Sequence, residues 1–211
     1  MRAEFGVVYS IARLAHKYQA RSVLEDAVSR IKSVYRDRMP DFIEVINTKA
    51  STVLLSSGYK DSLRVLELSR LLGDTSFLRS AYYLLAQDLP LDLSPDAISS
   101  EEMLTAFSED VARVDEGRRQ LTLAALDVRQ ATIESGSIQC YESICEGARN
   151  DAARLLCEDD EWTALNAFTL AEENEYGGIV CQSCLEEMKQ NEYRAMRRVW
   201  EELPTMFDFR D

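Results

Sequence analysis

Ser108-Glu-Asp-Val-Ala-Arg-Val-Asp-Glu-Gly-Arg-Arg-Gln-Leu-Thr-Leu-Ala-Ala-Leu-Asp-Val-Arg-Gln-Ala-Thr-Ile-Glu134 decides the fold class. Val111, Val114, Leu121, Ala125 and Val128 return at three- and four-residue intervals, so they share one stripe of a helix. Only Arg118 interrupts the stripe, and the stretch holds a single glycine and no proline. It predicts one long helix, and a chain built around such an element is all-helical.

Working toward the N-terminus, Ser99 and Glu102 have capping-box spacing and predict the restart of helix after the loop 89–100, which contains Pro90, Pro95 and several Asp and Ser. Before that loop, Leu63, Val65, Leu66, Leu68, Leu71 and Leu72 surround their helix, which predicts a central buried element closed by Gly73. Thr75 is positioned to cap the following helix, with Phe77, Ala81, Leu84 and Leu85 inward. Residues 51–58 fit helix, strand or turn, while Phe42–Ile46 fits a helix that Pro40 opens. Ser22 with Glu25 suggests another capping box for a helix burying Leu24, Val28, Ile31 and Tyr35. From Phe5 to Gln19, Val7, Ile11, Leu14 and Tyr18 form a narrow stripe read as the core face.

Toward the C-terminus, Ser135-Gly136-Ser137 ends the long helix and Ile144–Cys157 is helical again. Glu158-Asp159-Asp160-Glu161 is a solvated turn, since a calcium loop needs alternating oxygen ligands and a central glycine. A final helix follows Gly177-Gly178, carries Leu185, Met188, Met196, Val199, Trp200 and Leu203, and is terminated by Pro204. The expected architecture is an irregular bundle of about eight helices, with 1–38, 39–88 and 101–211 as helical subdomains and 89–100 as linker.

The 211 residues include 37 Asp and Glu against 24 Lys and Arg, a formal charge of −13. Arg118-Arg119 and the Arg194, Arg197, Arg198 group are small basic islands among carboxylates, which argues against nucleic acid and anionic membranes as partners. No stretch is long and apolar enough to span a bilayer. The N-terminus has no signal-peptide pattern and the C-terminus no lipidation box, so an intracellular setting, cytoplasm or nucleus, is expected.

Enzymatic chemistry has little to work with. The one histidine, His16, falls about 180° around its helix from Val7 at about 100° per residue, away from the apolar stripe. No acid or nucleophile is paired with it by sequence. Glu101-Glu102, Glu172-Glu173, Glu186-Glu187 and Glu201-Glu202 are adjacent pairs whose side chains diverge on a helix. No phosphate-cradling glycine motif occurs, and Gly58-Tyr59-Lys60 lacks its context. No catalytic residue is assigned.

The cysteines carry more. Cys140-x4-Cys145 and Cys181-x2-Cys184 are two pairs near predicted helix starts, where amide N–H groups and the positive dipole end favour thiolates. Four thiolates brought to one point form a structural zinc site. The competing readings are buried thiols acting as small apolar groups, a redox dithiol and incidental spacing. Cys157, between Leu156 and Glu158, is a core thiol in any of these.

Ile11-Ala12-Arg13-Leu14-Ala15-His16-Lys17-Tyr18, with the following helix ending in Ser33-Val34-Tyr35, resembles the stretch that closes the BTB/POZ domain in fungal, chiefly mushroom-type, BTB proteins. Val180-Cys181-Gln182-Ser183-Cys184 and Arg197-Arg198-Val199-Trp200-Glu201-Glu202-Leu203-Pro204 through Phe207 is similar to the C-terminal signature of that group, and Glu116-Gly117-Arg118 and the Cys140/Cys145 pair fit its pattern. The resemblance implies a non-enzymatic protein-interaction module, the helical region that follows a BTB core. That core would supply dimerisation and docking to a cullin scaffold. Because it precedes the matched helix and is not in these 211 residues, cullin binding is not expected of this chain. The alternative is a stand-alone helical scaffold with neither metal nor ubiquitin-ligase link.

Overall fold

The computed structural model describes residues 3–48, 54–55, 58–89, 101–134, 140, 145–147 and 180–209. The protein is helical, as the spacing predicts. The described elements are α1 (Phe5–Lys17), α2 (Arg21–Lys32), α3 (Met39–Thr48), α4 (Tyr59–Leu72), α5 (Leu78–Asp88), α6 (Glu101–Glu134) and α7 (Gln182–Met206), with a 3-10 turn at Thr75–Phe77. A two-residue parallel bridge is added, β1 (Ala3–Glu4) with β2 (Leu54–Leu55), in the register Ala3 to Leu54. No helix among the described residues is long and apolar enough to cross a membrane. Two compact units are formed, Met1–Arg118 with Leu203–Asp211, and Arg119–Glu202. Their boundary falls inside α6 and α7, and of the expected linker 89–100 only Leu89 is described.

In the first unit α4 is the central element: Leu63, Val65, Leu66 and Leu68 are buried, and Gly73 ends the helix with a left-handed φ of 65°. Leu71 departs from the expected burial and is exposed. The buried polar groups of α4 are satisfied internally. Asp61 pairs with Arg64 at 3.0 Å, Ser62 shares a 3.2 Å hydrogen bond with the Tyr35 hydroxyl, and the Ser69 hydroxyl donates to the Asp74 carbonyl. Phe5 meets Tyr35, and Phe42 meets Tyr83, edge to face.

Several expectations change here. The face of α1 that packs inward is Phe5, Val8, Tyr9, Ala12 and Ala15. Val7, Ile11, Leu14 and Tyr18 stand 52, 41, 54 and 71% exposed. α1 is apolar on two sides, and its neighbours α2 and α4 take the side with small alanines because backbones approach closely there. The capping box at Ser22 does not form: α2 starts at Arg21, whose guanidinium takes Glu25 at 2.8 Å. In α2 Ile31 is buried while Leu24 and Val28 are half-buried, and Tyr35, three residues past its end, is buried. Asp74, not Thr75, caps the next turn, accepting from the Ser76 amide at 3.0 Å. Pro204 does not end α7, which runs to Met206. The helix closes when Asp208 takes a left-handed φ of 48° and Phe209 N–H reaches the Pro204 carbonyl at 2.9 Å, the pattern of a Schellman motif. Ser99, Ser135–Ser137, residues 148–179 and with them Cys157 and the acidic run at 158–161 lie outside the described residues.

Arg118, the interruption in the α6 stripe, acts as a cap. Its Nε donates to the Ala86 carbonyl at 2.8 Å and an Nη to the Leu89 carbonyl, satisfying acceptors at the end of α5 that lack intrahelical donors. About two turns earlier Asp110, fully buried, accepts from the Tyr82 hydroxyl at 2.8 Å and pairs with Arg70. Burial, then the Asp110 charge, push the Tyr82 hydroxyl up to about 12. The Tyr82 ring stacks between Phe207 and Phe209, at centroid distances of 5.3 and 5.0 Å.

Gly117 is glycine because Phe207 lies on it. A Cβ at position 117 would fall 2.1 Å from Phe207 Cε1. Helix propensity alone makes Gly117→Ala stabilising by about 1 kcal/mol. The contact predicts the opposite sign, a loss of about 1–3 kcal/mol typical of overpacking. Denaturant melts of the two proteins measure it, and a gain in stability would show that Phe207 does not occupy this position.

Candidate metal centre

In the second unit two amphipathic faces recur with helical spacing. On α6, Leu121, Ala124, Ala125, Val128 and Thr132 are buried. On α7, Cys184, Met188, Glu192, Ala195, Met196, Val199 and Trp200 are. Both helices line one small cleft, with Ala124 and Val128 from α6 and Ala195 and Val199 from α7. Leu185, expected inward, is half-buried.

The start of α7 carries the chemistry. Cys181 stands at the N-cap position, its carbonyl accepting the first helical hydrogen bond from Leu185 at 3.0 Å. Cys184 follows in the first turn, three residues on and so on the same side. Cys184 is fully buried and Cys181 half-buried. Cys145, fully buried, heads the helical turn 145–147, and Cys140 is half-buried five residues before it. The four Sγ atoms all lie within 4.8 Å of one another. Cys181 Sγ and Cys140 Sγ are 3.6 Å apart, and the Cys181 amide donates to Cys145 Sγ at 3.2 Å. All four are free thiols.

Those distances fit a tetrahedron of sulfurs. Zinc–sulfur bonds of about 2.3 Å place neighbouring sulfurs about 3.8 Å apart. The Cys140–Cys181 pair is already near that separation, and the cluster needs to contract by only about 1 Å at its widest to close on an ion. Val180 and Met188 wall the site on the apolar side. Two pairs chosen from sequence thus converge, and the same residues can hold a metal ion. Spacing alone did not show Val180 as part of the wall. Met188 was legible as an inward position, four residues beyond Cys184 on the same face.

The thiols are not equivalent. The Cys184 backbone N–H, followed by hydrogen bonds from the other thiols, outweighs burial and lowers the Cys181 thiol to about 7. At Cys145 the Cys181 amide pulls down, but burial and the adjacent thiols prevail and the net direction is up. Of these two thiols, Cys181 is the one that more readily supplies a thiolate near neutral pH.

Of the other candidates, His16, Lys60, Glu186 and Glu201 are exposed, and Glu172-Glu173 lie outside the described residues. His16 is exposed on α1, and its imidazole has no hydrogen-bond or ion-pair partner among the described residues. Glu186 takes Gln182 at 3.0 Å and Glu201 takes Arg197 at 2.8 Å, both on the surface of α7. Lys60 lies in the first turn of α4, over the Tyr59 ring.

In metal-stripped protein near neutral pH, Cys181 is expected to be alkylated first by iodoacetamide, ahead of the buried Cys145 and Cys184. Mass-spectrometric mapping over time checks the order, and a faster Cys184 would contradict the arrangement of the site. Comparison of the chain with protein-family models, curated proteins and solved structures finds no match.

Proposed function

We propose that the chain is a non-enzymatic protein-interaction module resembling the helical region that follows a BTB/POZ core. In this reading its second unit is fixed by a structural zinc on Cys140, Cys145, Cys181 and Cys184. The observation that carries the reading is the meeting of four thiols from segments 36 and 41 residues apart in sequence. Soft thiolates select zinc among abundant divalent ions, and four protein ligands leave no position for a substrate or an activated water. That favours a structural ion over a catalytic one. An intracellular, reducing setting suits free thiols reserved for a metal. The residues on which the family resemblance rests also take part in contacts of structural weight: Gly117 under Phe207, Arg118 at the end of α5, and the Cys-x-x-Cys at the start of α7. Docking to a cullin belongs to the BTB core in that family and is not assigned to this chain.

The second reading, a helical scaffold without metal, is favoured by one observation: Cys145, Val180, Cys184 and Met188 form an apolar cluster in which thiols also serve as small packing groups. Metal content separates the two. Protein purified without chelator is expected to carry one zinc per chain, and Cys181→Ser to lose it. Metal binding to such ligands is worth on the order of 10 kcal/mol, so chelation should melt helicity in the second unit. Helicity and melting unchanged by chelator, with no zinc in the purified protein, would leave the scaffold reading standing.

A further inference from the structure

The outward stripe of α1 has no counterpart within the described residues. Val7, Ile11, Leu14 and Tyr18 recur at intervals of four, three and four, each between 41 and 71% exposed. At about 1.5 Å per residue the seam is about 16 Å long, three turns of helix. Leu71, 41% exposed on α4, extends it across a cleft of about 630 Å³ that Leu14, Arg13 and Lys17 also line. Soluble proteins scatter single apolar residues over their surface, but an aligned row of large ones marks a place of contact.

We infer that this stripe seats an amphipathic helix of a partner protein whose apolar seam is flanked by carboxylates. The spacing selects the shape of the occupant. Four-three-four intervals present knobs that interdigitate with another helix, and they do not match the two-residue period of an added strand. The flank selects its charge. Arg13 and Lys17 follow the stripe on the α4 side, two basic side chains in a chain whose net charge is −13. Arg13 is shared with Glu67 at 3.4 Å, whereas Lys17 has no acidic partner among the described residues and lies over the Tyr18 ring. Lys17 also suits the C-terminal dipole of α1, which accounts for its sign but not for the apolar row beside it.

A second copy of this chain fits the stripe less well. Antiparallel pairing of α1 with itself brings the flank of Lys17 against the same flank of its mate, basic on basic, while the molecules as a whole repel at −13 each. Parallel pairing sets Lys17 against the flank that α1 turns toward its own core. An acidic helix meets neither obstacle, and its charges also favour approach to this basic edge.

The probe is a synthetic helical peptide with leucines at three-four spacing and glutamates on both flanks, beside a twin in which lysines replace the glutamates. Fluorescence anisotropy with the full chain measures both. The glutamate peptide is expected to bind more tightly by up to about fivefold for each rim pair formed, with the advantage shrinking at high salt. Lys17→Glu should remove that preference, and Leu14→Asp should abolish binding. Both positions are exposed, so unchanged circular dichroism will show that the variants fold. Equal affinity for the two peptides, binding by neither, or wild-type binding by Leu14→Asp would overturn the inference. So would a concentration-dependent dimer, seen by sedimentation, that Leu14→Asp dissolves.

Discussion

Four cysteine sulfurs within 4.8 Å of one another are the constraint on which the second unit depends. Thiols attract one another weakly, and closing a loop of 36 or more residues costs chain entropy. Apolar packing against Val180 and Met188 recovers part of that cost. A bound ion recovers far more, because four charge-assisted bonds replace four weak contacts. The direct link from the Cys181 amide to Cys145 Sγ shows how the backbone takes part: the turn that starts α7 is also the turn that orients the Cys145 thiol.

The same helix illustrates how local rules are set aside by packing. Proline removes one amide donor from α7 at position 204, yet the φ it imposes is helical and the missing bond is a single one. The last turn continues because Leu203, Met206 and Phe207 are buried, and Phe207 seats on a glycine that has no side chain to obstruct it. Asp208 then accepts a left-handed conformation to close the helix, a conformation that asparagine and aspartate adopt at modest cost. In the same unit Asp110 is a buried charge held by Tyr82, Arg70 and Arg113. Such an arrangement is compensated only while its partners remain, so it specifies one packing more than it stabilises any.

Much of the fold could be read from residue spacing, and the failures share a cause. α6 was legible because its period persists over many turns. Arg118 looked like a flaw in that period because the carbonyls it caps, on Ala86 and Leu89, lie about thirty residues away in sequence. For α1 the spacing found a genuine stripe but not which of two apolar sides faces inward. Large residues dominate such a reading, whereas α2 and α4 pack against alanines that permit close approach. The Ser22 capping box failed because Arg21 captured Glu25, a competition between neighbours that a motif does not register. At the cysteine cluster the four residues were legible as two short motifs. Their convergence was not, since it depends on the path of the chain from Cys145 to Cys181.

The account is tested most directly at the ion itself. X-ray absorption at the zinc edge, on protein purified with its metal, reports the number and kind of ligands. Four sulfur scatterers at about 2.3 Å and no nitrogen or oxygen in the first coordination sphere are predicted. A shell containing nitrogen or oxygen, or fewer than four sulfurs, would contradict a centre built from Cys140, Cys145, Cys181 and Cys184.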